Sequence, residues 1–271
     1  MQLTTDPRRH GRVIQRHGLR HWLLSCCLLL VLAGCDRPAQ QAGQAPPNAQ
    51  AIATNNRGVG LMGRYEYDAA LQIFQPLAEQ YPQQVAFRLN HAIALMNRQL
   101  DGDEADALAR FDALANEHPG EPRVRYCTGL LEFRRGELER AAQHFNAVLA
   151  TDPRDPYAAY FLAQSLQQRG DSNTALEWYR RALDHDPYLR SAYYALSQLY
   201  RQQGQADEAA RYLNIYQQLA NNPRAQLVEF KYTRMGAKCE AIPVGSAAAP
   251  VAPLPDGPLF ADSTAPLPLL H

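Results

Sequence analysis

Alanine and a large apolar residue recur as a pair through the middle of this chain. Ala107, Ala141, Ala175 and Ala209 stand 34 residues apart, and Phe111, Phe145, Tyr179 and Leu213 each follow four residues later. Four residues is one helical turn, so each pair shares a face: the small side chain lets a second helix cross closely, and the large one fills the space beside it. Gly102, Gly136, Gly170 and Gly204 keep the same spacing. A glycine beyond a helix end can take the left-handed conformation that caps it and turns the chain. Pro119, Pro153 and Pro187 close each unit, because proline lacks the next donor and pushes its predecessor out of helical geometry. The pattern predicts two helices per 34-residue unit, stacked so that each unit buries the apolar face of its neighbour.

Residues 122–155, 156–189 and 193–216, which carry these positions, resemble tetratricopeptide repeats. Residues 88–121 fit the same frame, with Leu95 at a small position that elsewhere holds Gly129, Ala163 and Ser197, and looser helix packing is expected there. Residues 51–84 keep Gly58, Ala70, Phe74 and Pro82 but have Tyr65 where glycine is usual. The step from Pro82 to Pro119 is 37 residues, so a short insertion at 85–87 separates the first two units. The resemblance implies an all-α fold, a right-handed α-solenoid of about five helix-turn-helix units, at 51–84, 88–121, 122–155, 156–189 and 190–223. Residues 223–235 begin with a proline, place Leu227, Phe230 and Tyr232 among polar residues, and precede Gly236. They predict a capping helix over the open end of the stack, which would extend the solenoid to 51–235.

Outside the repeats the apolar pattern changes. Five arginines (8, 9, 12, 16 and 20) precede an apolar run at 22–32, too short to span a bilayer and suited to the core of a signal peptide at 1–34. Leu32-Ala33-Gly34-Cys35 resembles the lipobox of bacterial lipoproteins, which implies cleavage before Cys35 and acylation of its thiol, often with a further acyl chain on the new amine; a plain cleaved signal peptide is the alternative. Two or three acyl chains anchor a protein stably where one does so only marginally. The resemblance places the chain in a bacterial envelope, facing the periplasm, and Asp36 resembles the residue that retains lipoproteins in the inner membrane of enteric bacteria. Residues 35–50 contain no large apolar side chain and read as a flexible tether with a reach of roughly 20–25 Å. Residues 236–271, rich in alanine and proline, read as a disordered tail. Within them Phe260, Asp262 and Thr264 resemble the opening of the β-propeller repeats that follow tetratricopeptide units in some exported bacterial proteins.

Charge and chemistry narrow the function. The whole chain carries 27 basic and 27 acidic residues; without 1–34, which hold five arginines and Asp6, 22 and 26 remain, a net of about −4. That is no footprint for nucleic acid. Of five cysteines, Cys26 and Cys27 lie in the signal segment and Cys35 is the lipidation site, leaving Cys127 in a repeat helix and Cys239 in the tail. They read as a small core residue and a loosely held thiol, although a disulfide is permitted outside the cytoplasm. His91, His118, His144 and His185 occupy unrelated repeat positions and read as helix-surface or helix-end residues, so neither a metal nor a cofactor is expected. Asp103-Glu104 and Asp207-Glu208 fall at helix starts, where they complement the helix dipole. No nucleophile-base pair or phosphate loop is legible, so the chain reads as non-enzymatic.

In tetratricopeptide folds the first helix of each unit lines the concave face. Carried over by register, its inward positions give a tyrosine ladder, Tyr126, Tyr160 and Tyr194, flanked by Arg123, Phe133 and Arg134, by Tyr157, Gln164 and Gln167, and by Gln198 and Arg201. Tyrosine and arginine dominate binding hot spots, and glutamine bonds both donors and acceptors of an extended backbone. The set implies a site for a peptide or protein partner; alternatively the tyrosines pack between neighbouring first helices. The Lys/Asn clamp by which chaperone-binding members hold a terminal carboxylate is missing, with Leu130, Gln164 and Gln198 in its place. The expectation is a lipid-anchored interaction scaffold. The alternatives are an accessory or assembly factor of an envelope enzyme or of a secretion or pilus system, or the repeat half of a split or truncated repeat-propeller protein.

Overall fold

The computed structural model describes residues 46–245. The signal segment, Cys35, most of the tether and the propeller-like residues near Phe260 lie outside them. The described residues contain ten α-helices: α1 Ala49–Gly63, α2 Tyr67–Gln80, α3 Val85–Arg98, α4 Asp103–Glu117, α5 Pro122–Arg134, α6 Leu138–Thr151, α7 Pro156–Gln168, α8 Ser172–His185, α9 Arg190–Gln202 and α10 Ala206–Gln218. Successive helices pack pairwise and each pair packs on the next, so the fold is an all-α tetratricopeptide stack of five units. Gly102, Gly136, Gly170 and Gly204 turn the chain with φ of +83°, +79°, +90° and +75°. At the other end of each unit, Glu121 and Asp155 accept from the backbone N–H groups that open α5 and α7, whose first residue is proline.

Ala107, Ala141 and Ala175 are fully buried, as are Phe111, Phe145 and Tyr179, but in the last unit Leu213 is 37% exposed. α10 buries only Ala209. The short insertion expected at 85–87 is not there: α3 starts three residues after Pro82, as α5 starts three after Pro119, so 85–87 are an ordinary first turn with Phe87 buried against Tyr81, and the extra residues fall between Val85 and Glu117. α3 and α4 pack less extensively than the three pairs that follow, and α1 and α2, with Gly58 at the small position, less still. Tyr65 turns the first unit with a positive φ of +64° despite its side chain, and its hydroxyl bonds Thr233 at 2.8 Å.

The capping helix expected over 223–235 does not form. Asn222 takes extended geometry before Pro223, with ψ of 122°, and the only helical turn in the stretch is the 3-10 turn Tyr232–Arg234. Two pairings hold the chain extended: Gln226 donates to the Tyr188 carbonyl and accepts from the Arg190 N–H, both at 2.8 Å. Arg190 opens α9, so its N–H has no partner inside the helix and is free to bond elsewhere. Residues 226–244 then run back across the first helices, from α9 to α1. The expectation of a disordered tail over 236–271 is corrected for 236–244, which belong to this returning segment with Cys239 fully buried; residues 246–271 lie outside the described residues.

His91 on α3 is 3% exposed and its Nδ1 has no hydrogen-bond partner. Burial first, then the Arg110 charge, pull its pKa from 6.5 down to about 4. The fold holds the neutral ring, so its contribution is complete above pH 6.5 and is lost as pH falls from 6.5 toward about 4. The loss amounts to about 3 kcal/mol. In urea titrations at pH 7 and pH 4.5, His91→Leu is expected to remove most of this acid sensitivity; an unchanged pH dependence would place the titrating group elsewhere.

Candidate functional site

The face built from α1, α3, α5, α7 and α9 is where the chain binds its own returning segment. Contacts with it are mostly to backbone. Arg123 donates to the carbonyls of Ala237 and Glu240 at 2.8 and 3.0 Å, and Ser191 accepts from the Val228 N–H at 2.9 Å. Asn90 takes both polar groups of Ile242, accepting from its N–H at 2.6 Å and donating to its carbonyl at 2.9 Å. Asn56 does the same to Val244, at 2.8 and 3.0 Å. Asn55 donates to the Ile242 carbonyl at 3.0 Å and accepts from Asn90 at 2.8 Å. In an extended chain alternate residues point the same way, so grips at 242 and 244 are the mark of a surface that reads an extended backbone without reading its side chains.

Specific anchors sit between these grips. Tyr126 is fully buried, its pKa driven well above 10 by burial, and its hydroxyl donates to the Met235 carbonyl. Gly236, with φ of +90°, lies against it: a Cβ there would meet Tyr157 Cγ at 2.8 Å and the Tyr126 hydroxyl at 2.9 Å. No other residue fits that backbone and that space. Phe230 stacks on Phe133 with ring centres 5.8 Å apart. Lys238 bonds Asp152 at 2.6 Å and Asp155 at 2.5 Å, so Asp155 caps α7 with one oxygen and holds the segment with the other. The bond to Lys238 keeps the Asp152 carboxyl below its ordinary value of 3.8.

The predicted site residues divide accordingly. Arg123, Tyr126, Phe133 and Tyr157 meet the returning segment, the Tyr157 hydroxyl donating to the Gln226 side chain. The reading of Tyr126 as an outward contact is thereby corrected, because the chain itself covers it. Arg134 turns away to Glu104 at 3.3 Å, and Arg201 pairs with Gln198. Tyr160, 5% exposed, packs edge-on against Phe161 and Tyr179, while Tyr194 is 47% exposed. Tyr160, Gln164, Gln167, Tyr194 and Gln198 come together with Tyr216 around an open cavity of about 350 Å³ beside Leu227 and Val228, at the end of the face that the segment leaves uncovered. Register reasoning missed the asparagines. Asn55 was within reach of it, since it holds the ladder position of Tyr126 once the three-residue insertion is allowed for. Asn90 was not, because counting back 34 residues from Tyr126 reaches Ala92.

The sequence profile described as the protein kinase G tetratricopeptide repeat matches residues 60–243, well over half of the chain. The chain belongs to that family. This tetratricopeptide match runs from the last turn of α1 through α10 and into the returning segment. Among solved structures, MamA from Desulfovibrio magneticus RS-1 superposes with a TM-score of 0.57 at 20% identity, covering 65% of this chain and 98% of that one. A MamA double mutant superposes with a TM-score of 0.57 at 21% identity, covering 64% and 95%. A further crystal structure of MamA gives 0.54 at 20%, covering 60% and 93%. At such identities the likeness concerns the fold alone. No curated protein matches the chain in sequence.

Proposed function

We propose that this protein is a non-enzymatic interaction scaffold, anchored by lipid at Cys35 in a bacterial envelope, facing the periplasm, that docks an extended segment of a partner protein at the open end of its first-helix face. One observation carries the reading: the same face already holds an extended segment of its own chain through side-chain grips on backbone, at Arg123, Asn90 and Asn56. Next to that segment the cavity around Tyr194 presents aromatic area and glutamine amides with the same capability. Anchoring at Cys35 rests on the Leu-Ala-Gly-Cys sequence and the basic and apolar residues before it.

The variant pair Tyr194→Ala and Gln198→Ala tests the docking end. Both residues are solvent-facing, so Tm should move little while capture of a cross-linked envelope partner weakens more than ten-fold, on the basis of about 2 kcal/mol for a hot-spot aromatic. Tyr160 is left intact, because its ring belongs to the core. Full capture by the double variant would remove the cavity from the reading. Loss of membrane association in a Cys35→Ser control separates anchoring from docking.

A further inference from the structure

Two buried cysteines lie close to each other where the returning segment crosses α5. Cys127 lies on α5 and Cys239 in the 3-10 turn Ala237–Cys239; both are fully buried and unpaired, and they are the free cysteines of the described residues. The Cys127 thiol donates to the Lys238 carbonyl at 3.7 Å, the peptide group that leads into Cys239. Arg123 bonds the backbone on both sides of Cys239, at Ala237 and Glu240, and Lys238 is held by Asp152 and Asp155. The residues on either side of Cys239 are therefore pinned.

The geometry points to Cys127 and Cys239 as a redox pair whose disulfide staples the returning segment onto α5, so that thiol oxidation decides how firmly the chain occupies its own first-helix face. The reaction is thiol-disulfide exchange with an oxidised dithiol protein or glutathione disulfide. The Cys239 thiolate attacks one sulfur of that disulfide and displaces the other as a thiolate; the Cys127 thiolate then attacks the Cys239 sulfur and releases the second. Two protein thiols are oxidised, one external disulfide is reduced to two thiols, and the two protons pass to those thiols. Burial raises the Cys239 pKa well above 9 in the docked state, so exchange belongs to folding or to moments when the segment lifts, and the docked pair is shielded from further reaction. The inference takes its oxidising compartment from the periplasmic placement proposed above and is independent of any docked partner.

The test uses the full chain refolded with excess glutathione disulfide, then denatured, alkylated and mapped by mass spectrometry. The expected product is one cross-linked peptide pair joining Cys127 to Cys239, with neither alkylated. A cross-link closing a loop of more than 100 residues should raise Tm by roughly 10 °C over the same protein in reductant. Cys239→Ala and Cys127→Ala, each a small apolar replacement, should both lose the response to reductant. Amide exchange across 226–244 should slow more than ten-fold on oxidation. Alkylation of both thiols, a cross-link to Cys26, Cys27 or Cys35 instead, or a correct cross-link with unchanged exchange would each overturn the inference.

Discussion

Truncation after Asn222 is expected to lower Tm by about 10 °C and to open a site that the missing segment, supplied as a synthetic peptide of residues 224–245, fills again. The segment buries Tyr232 and Met235 at 3% exposure and covers Tyr126 and Cys127 completely. Burial of the first two alone corresponds to about 4 kcal/mol of transfer free energy, and for a chain of this size each kcal/mol is worth roughly 2–4 °C. Its removal also leaves Asn55 and Asn90, both fully buried, without the backbone partners that satisfy their amides. Peptide at a hundred times its Kd should restore about 2.7 kcal/mol. A peptide carrying Gly236→Ala should not, since the added carbon would stand 2.8 Å from Tyr157 Cγ. Thermal melts with both peptides check this. A truncated protein as stable as the full chain, or one rescued equally by the two, would mean that the segment is not held by the contacts described.

The second large effect is at Phe161. Its ring is 1% exposed and touches aromatic partners from three directions: Phe145 stacked at 5.6 Å, Tyr126 and Phe133 edge-on at 6.2 and 6.1 Å, and Phe230 of the returning segment at 5.8 Å. Phe161→Ala should cost 3–5 kcal/mol, the usual range for a phenylalanine removed from a core with little room to collapse. Phe230→Ala, at a ring 38% exposed, should cost about 1 kcal/mol and act mainly on the segment, raising amide exchange at 226–244 while the helices stay protected. Urea titration with a constant slope, together with residue-level exchange, separates the two. Equal losses from both variants would show that the cluster is not the link between stack and segment.

These two experiments bear on the part of the molecule that sequence reasoning read least well. Residues 223–235 carry a helix-start proline, spaced apolar residues and a terminal glycine, yet Val228, Phe230 and Tyr232 also alternate as an extended chain requires. Local preference does not choose between the two. The unpaired N–H of Arg190 and the gap between Tyr126 and Tyr157 do, and both exist only once α5, α7 and α9 are in place. Cys239 is a parallel case: its distance from Cys127 along the chain says nothing, and the return of the segment lays it against α5, with the Lys238 carbonyl 3.7 Å from the Cys127 sulfur.

The ladder of tyrosines shows the same division on a smaller scale. Repeat register put Tyr126, Tyr160 and Tyr194 at equivalent positions, and the structure gives them unlike surroundings: one under the segment, one in the core, one at an open cavity. By itself the sequence determined the fold class, the five units and the turns between helices, because those follow from contacts within a unit and with its nearest neighbours, which repeat every 34 residues. Only the tertiary structure decided which part of the first-helix face stays open, because that depends on a segment pairing with residues up to 188 positions away, and a contact so distant leaves no period in the chain.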